Sequence, residues 1–165
     1  MNDRKVNPIR ETDDDARTMA RTLVDQARFG ALATLEPDTG YPVASRIAVG
    51  TDNHGTLISL ASDLSAHSRA IEHDQRCSVL IGEPGKGDPL AHPRITLIGS
   101  FEKIDRRSAE MPSLREIWLE MHPKASLYID FGDFNFYRLA LERAYLNGGF
   151  GKAYVLVPAD LGYQE

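Results

Sequence analysis

The chain has 165 residues, enough for one domain with a real core, at 42% hydrophobic and 26% charged. Its 24 acidic against 19 scattered basic side chains give a formal charge of −5, which argues against a nucleic-acid-binding face. One cysteine, Cys77, rules out an intrachain disulfide, and no apolar run approaches the roughly 18 residues a membrane span needs.

The opening MNDRKVNPIRETDDDA lacks the apolar stretch of a signal peptide, so a soluble, cytoplasmic protein with no membrane partner is expected. Residues 1–11 read as a flexible lead-in, and residues 12–165 as a single domain. Thr12 is placed to cap a helix whose first turn holds Asp13, Asp14 and Asp15, where the helix dipole favours acid. Met19, Leu23 and Ala27 then recur every four residues as one apolar stripe.

After Phe29 the period shortens. GALATLEP and PVASRIAVGTD read as strands joined by Pro37-Asp38-Thr39-Gly40, and TDNHG turns the chain into a third strand, TLISLAS. This predicts an antiparallel meander, interrupted by a helix over 65–74 and resumed by RCSVLIGEP. GEPGKGDPLAHP is too rich in Gly and Pro for regular structure and reads as a long loop. PRITLIGSFEKID is the longest strand candidate, with Ile95, Leu97 and Gly99 on one face. SLREIWLEMH and PKASLYIDF read as short helices parted at Pro123, and FNFYRLALERAYL and GKAYVLVP return to strand. The whole is α+β and mainly β: an antiparallel split barrel of six or seven strands, with an N-terminal helix and inserted helices.

Several chemistries fail on their motifs. GEPGKGD has Gly87 where a phosphate loop needs Ser or Thr, and no GxGxxG follows a strand. The five histidines include no HExxH, there is no CxxC, and His67 and His73 point to different faces of a helix, so no metal site is expected. No GxSxG elbow occurs.

What remains is SDLSAHSRAI, residues 62–71, at a strand-to-helix corner. Capping by Ser62 or Ser65 explains one serine; an anion held by the first-turn N–H groups would use the rest, with His67, Ser68 and Arg69 as further donors. On the strand PVASRIAVGTD, Arg46 has the small Ala44 and Ala48 as same-face neighbours, which leaves room for a flat ligand. In LNGGFGKAY, three glycines around Phe150 suit positive φ, a close backbone approach or a wide hairpin turn.

The order strand, turn, strand ending in DxxG, strand, SDLSAHSRA, helix and RCSVLIGEP resembles the FMN-binding split barrels related to pyridoxamine 5′-phosphate oxidase. GDPLAHPRITLIGSFEKI followed by HPKASLYIDFGDFNFYRLALERAYLNGGFGKAY is similar to the haem-utilisation branch of that family, and the likeness runs from about residue 14 to 156. The resemblance implies a homodimer with FMN in clefts between subunits. It places Ser45, Arg46 and Ile47 along the flavin, and Ser62, Leu64, Ser65, His67 and Ser68 around its phosphate, with Arg69 beside them. Arg94 corresponds to a position approaching the ring from the partner. The oxidases' tryptophan before the paired glycines is replaced by Leu146-Asn147, and GKAYVL stands where they carry an RLHDR-like run, so pyridoxamine phosphate oxidation is not implied. Two functions are expected: an FMN-dependent oxidoreductase, or a haem or tetrapyrrole binder for which His92 or His122 would supply an axial ligand.

Overall fold

A computed structural model of the chain describes residues 9–163. Residues 1–8 of the expected N-terminal lead-in lie outside the described residues; Ile9 forms a parallel bridge to Ala153. The first helix, α1, runs Asp14–Gln26, and its cap is Asp13 rather than Thr12. Asp13 Oδ1 accepts the Ala16 N–H at 2.8 Å, whereas the Thr12 hydroxyl donates to the Val155 carbonyl. Asp13, expected in the first turn, takes the cap because the Thr12 hydroxyl is committed elsewhere. Ala16, Ala20 and Val24 form the buried stripe, with Met19 and Leu23 packed partly buried beside it.

Strands follow as β1 (Phe29–Leu35), β2 (Pro42–Ala48), β3 (Gly50–Thr51) and β4 (Leu57–Ser62). Helix α2 spans Ala66–His73, followed by β5 (Arg76–Ile81) and β6 (Arg94–Lys103). Helix α3 covers Met111–Met121, then come β7 (Phe134–Asn147) and β8 (Ala153–Leu156). The expected α+β split barrel is observed, with eight strands because the single strand read across residues 42–52 divides at Val49. Helix α3 begins two residues before the expected Ser113, since Pro112 is tolerated in a first turn that lacks N–H partners.

The meander is corrected by the pairing order, β2-β1-β5-β6-β7-β4-β3, with β8 also on β7. β4 does not pair with β2; its other neighbour is β7, in the register Ile58↔Arg138. β5 returns to β1 through Leu32↔Val79. The two ends of the sheet, β2 and β3, are consecutive in the chain through Val49, so the sheet curls round until its edges meet. Val49 is fully buried and donates to the Arg28 carbonyl at 3.1 Å.

Alternation puts Leu32, Val79, Ile95, Leu97 and Leu146 inside the barrel with the face of α1. Ile95, Leu97 and Gly99 are the buried side of β6, as its alternation predicts, and the register slips by one residue between Ile98 and Gly99. A second core lies outside, where α3 lays Leu114 and Trp118 on Ile58, Leu60 and Phe136. β4 contributes to both cores, and five of its six residues are buried.

Candidate functional site

The serine corner forms as its sequence implies, yet most of its polar groups face one another. Ser65 caps α2 and accepts the Ser68 N–H at 3.3 Å, while its own hydroxyl donates to the Ser62 carbonyl at 2.8 Å. Such a cap contributes about 1 kcal/mol. The fully buried Ser68 places its Oγ 2.8 Å from Ser65 Oγ. Ser62 donates to the Asp133 carboxylate and accepts the Leu64 N–H at 3.1 Å. Beneath them Asp63 Oδ1 accepts from Lys103 Nζ (2.8 Å), Asn135 Nδ2 (2.9 Å) and the Tyr137 hydroxyl (3.4 Å). Burial pushes the Tyr137 phenol up, so it stays a donor.

Three groups in the corner stay open. The backbone N–H groups of Ala66 and His67 begin the helix and have no partner within its first turn, and the exposed Arg69 meets no carboxylate among the described residues. Leu64 is 78% exposed and offers only apolar surface. His67 is half-buried and places Nδ1 3.3 Å from the Ser45 hydroxyl, tying α2 to β2. Burial alone lowers its pKa below the usual imidazole value, so the ring is neutral at pH 7.

Strand alternation separates the other predicted residues. Ile47 points inward and is buried in the barrel core. Arg46 points outward, with its guanidinium over the Phe29 ring at 5.7 Å from the centroid. There it lines an open groove of about 820 Å³, bounded by the end of α1, by β1 and β2, and by the segment following β5. The floor is apolar, built from Phe29, Ala31, Ala44 and Leu80, and the register Arg46↔Ala31↔Leu80 runs straight across it. Arg28 stands in the wall, its guanidinium donating only to the Asp25 and Ala27 carbonyls. Neither arginine pairs with a carboxylate among the described residues, and Glu83 is the one acid in the lining. Ser45 contributes to the lining from β2, while its hydroxyl holds His67 on the opposite face of the strand from Arg46.

Arg94 sits at the rim. Its guanidinium turns away to the Leu90 and His92 carbonyls at 3.1 and 3.3 Å. Its backbone packs on Gly82, where φ is +121° and an added Cβ would stand 2.7 Å from Arg94 Cα; only glycine suits that point of the lining. The glycine cluster combines two of its expected features. Gly149 has φ +105°, and an added Cβ there would stand 2.9 Å from the Ala91 carbonyl, while Phe150 is 78% exposed at the turn. The strand residues Phe29, Ala31 and Leu80 escaped sequence reasoning; their signal was large or apolar side chains at outward positions of β1 and β5.

A smaller polar cavity of about 370 Å³ lies across the barrel, lined by Asp52, His54, Thr56, Glu110, Arg138 and Gly162. Its cation is already neutralised, since Arg138 is held by Asp52 at 2.8 Å and Glu110 at 2.5 Å. The Arg138 guanidinium in turn holds the Glu110 carboxyl below its usual value.

Residues 11–163 match the model of the CREG β-barrel family, and the chain belongs to that family. It is 32% identical over 121 residues to a chloroplast protein of Arabidopsis thaliana named non-canonical heme oxygenase HOZ. That match takes in 72% of this chain and 36% of the relative, so the chain spans about a third of that protein. A solved heme binding protein from Mycobacterium smegmatis is similar at 30% identity and a TM-score of 0.81, over 93% of this chain and 62% of that one. A protein of unknown function from Agrobacterium tumefaciens is similar at 35% identity and a TM-score of 0.80, over 95% of this chain and 64% of that one. No helix among the described residues is long and apolar enough to cross a membrane.

Proposed function

We propose that this CREG-type barrel binds a haem-type tetrapyrrole in the groove floored by β1, β2 and β5. The observation that carries the reading is an apolar floor beside two arginines, Arg28 and Arg46, that no carboxylate neutralises. A planar macrocycle matches the floor, and its carboxylates match the guanidinium forks. The volume of about 820 Å³ falls within the ~300–1,000 Å³ of ordinary ligand sites. The plant and mycobacterial relatives, a heme oxygenase and a heme binding protein by name, point the same way. Titration of the purified protein with hemin is expected to give a saturable shift of the Soret band at one hemin per chain. Arg46→Glu is expected to weaken it at least tenfold. An unshifted Soret band, or one indifferent to Arg46→Glu, would sink the reading.

The second reading is an FMN site at the serine corner, for a flavin-dependent oxidoreductase. It is favoured by the open N–H groups of Ala66 and His67 and by the unpaired Arg69, which together suit a phosphate. Bound FMN would supply the redox chemistry. The corner's donor set fits only in part, because the three serine hydroxyls are engaged and the carboxylates of Asp63 and Asp133 lie in the same network. Arg46 would then face the flavin from the adjoining groove, with Arg94 at its rim, while the Ser45 hydroxyl stays on His67. FMN titration followed by flavin absorbance tests this, with Arg69→Ala expected to lower the affinity about tenfold. Failure of FMN to bind at millimolar concentration rules it out.

A second copy of the chain is the proposed partner. The outward row Arg46, Ala31, Leu80, Thr96, Tyr145, Val155 crosses five strand pairings in register, and Leu80, Tyr145 and Val155 are all exposed. Sedimentation at micromolar concentration is expected to return twice the 18.3 kDa chain mass, and a monomer would refute it.

A further inference from the structure

No histidine, cysteine, tyrosine or methionine is among the residues that line the groove, where Glu83 is the one carboxylate, and that lining says what the groove recognises. His122 Nε2 lies 2.8 Å from the Val49 carbonyl, and its ring packs on Trp118 at 4.3 Å between centroids. His92 Nε2 lies 3.0 Å from the Lys86 carbonyl, and its ring is packed over Gly85. His67 spends Nδ1 on Ser45, His54 lines the other cavity, and His73 lies in the last turn of α2. Cys77 is buried inside the barrel with its thiol pushed up to about 12 by burial, far from the thiolate a metal requires. Tyr145 stands on β7, three strands from β1, with its hydroxyl accepting from Arg143. The groove offers instead an aromatic and aliphatic floor for a ring face and two guanidinium groups for an anionic edge.

We infer that the groove selects a tetrapyrrole by its flat face and its carboxylate edge, not through a metal. Metal-free porphyrin dicarboxylates and ring-opened tetrapyrrole dicarboxylates are therefore ligands of the same site. This rests on the tetrapyrrole reading above and specifies its ligand class. Stacking on Phe29 and the aliphatic floor is indifferent to what the macrocycle centre holds, and each arginine fork takes a carboxylate whether or not the ring is closed.

The test compares four probes on the full chain: hemin, metal-free protoporphyrin IX, its dimethyl ester and biliverdin. Porphyrin fluorescence, the Soret band and the biliverdin absorbance serve as readouts. The dissociation constants of hemin, protoporphyrin IX and biliverdin are expected to agree within about threefold. The dimethyl ester is expected to bind at least tenfold more weakly, and the double variant Arg28→Ala/Arg46→Ala to lose at least tenfold for the three acids. Hemin binding more than thirtyfold tighter than protoporphyrin IX, with the difference removed by His67→Ala or His92→Ala, would overturn the inference and leave the tetrapyrrole reading standing. Equal binding of the ester would overturn the carboxylate edge without any variant needing to fold. Failure of all four probes would overturn both.

Discussion

The serine corner and the outer groove differ in what they leave free. The corner packs three serines, a histidine and an arginine into ten residues, yet its three serines bond to each other, to backbone or to Asp133. The groove is floored by ordinary strand residues, yet Arg28 and Arg46 face it without pairing to a carboxylate among the described residues. Buried polar groups are costly unless paired, so a half-buried corner rich in hydroxyls folds by satisfying itself. Exposed arginines bear no such cost and stay available. Availability, rather than the number of donors, separates the self-satisfied corner from the groove proposed to bind.

The largest effect that sharpens the contrast is on stability. Ser68→Ala removes a fully buried hydroxyl beside Ser65 and is expected to cost about 1–3 kcal/mol in urea unfolding, with hemin affinity unchanged. A Ser68→Ala protein with native stability but lost ligand binding would reverse the assignment of the two regions. Next, Arg28→Ala alone should weaken hemin severalfold while leaving the unfolding midpoint within error, because the exposed guanidinium holds only carbonyls of its own neighbourhood. Ser65→Ala should cost about 1 kcal/mol through the lost cap, and Ser65→Asp should restore most of it.

The smallest effect concerns pH. The folded-state pKa of His67 lies below 6.5, so the unfolded chain binds its proton first on acidification. Stability from this group is fully present above pH 6.5 and falls as the pH drops below that value. His67→Gln is expected to flatten that part of the stability profile, as read by denaturant midpoints from pH 7 downward. An unchanged slope would mean that His67 is solvated rather than half-buried.

Local chemistry made much of this legible in advance. Alternation fixed the buried face of β6, and the run of serines located the start of α2 at Ser65. Sheet order was not legible, because hydrophobic alternation says which face is buried and nothing about which strand lies alongside. The meander expectation therefore failed at β4 and β5, whose additional neighbours are far away in sequence. The division at Val49 was hidden for a related reason: PVASRIAVGTD alternates as one strand, and only closure of the sheet bends it. At the site, Arg46 beside small neighbours was readable, whereas Phe29 and Leu80 became a floor only once β5 had paired with β1. Ser45, Arg46 and Ile47 were grouped by sequence adjacency, and strand geometry sends Ile47 into the core while Arg46 faces the groove.

The pairing of β4 with β7 also bears on how the protein is made. Ile58 meets Arg138, roughly eighty residues later in the chain. A ribosome adding ~5–20 residues per second releases LISLA several seconds before any of β7 exists. Throughout that interval the segment destined to be among the most buried in the molecule has only the two-residue β3 to pair with. The burial that β4 contributes to the finished barrel is therefore unavailable to this segment until β7 has been made.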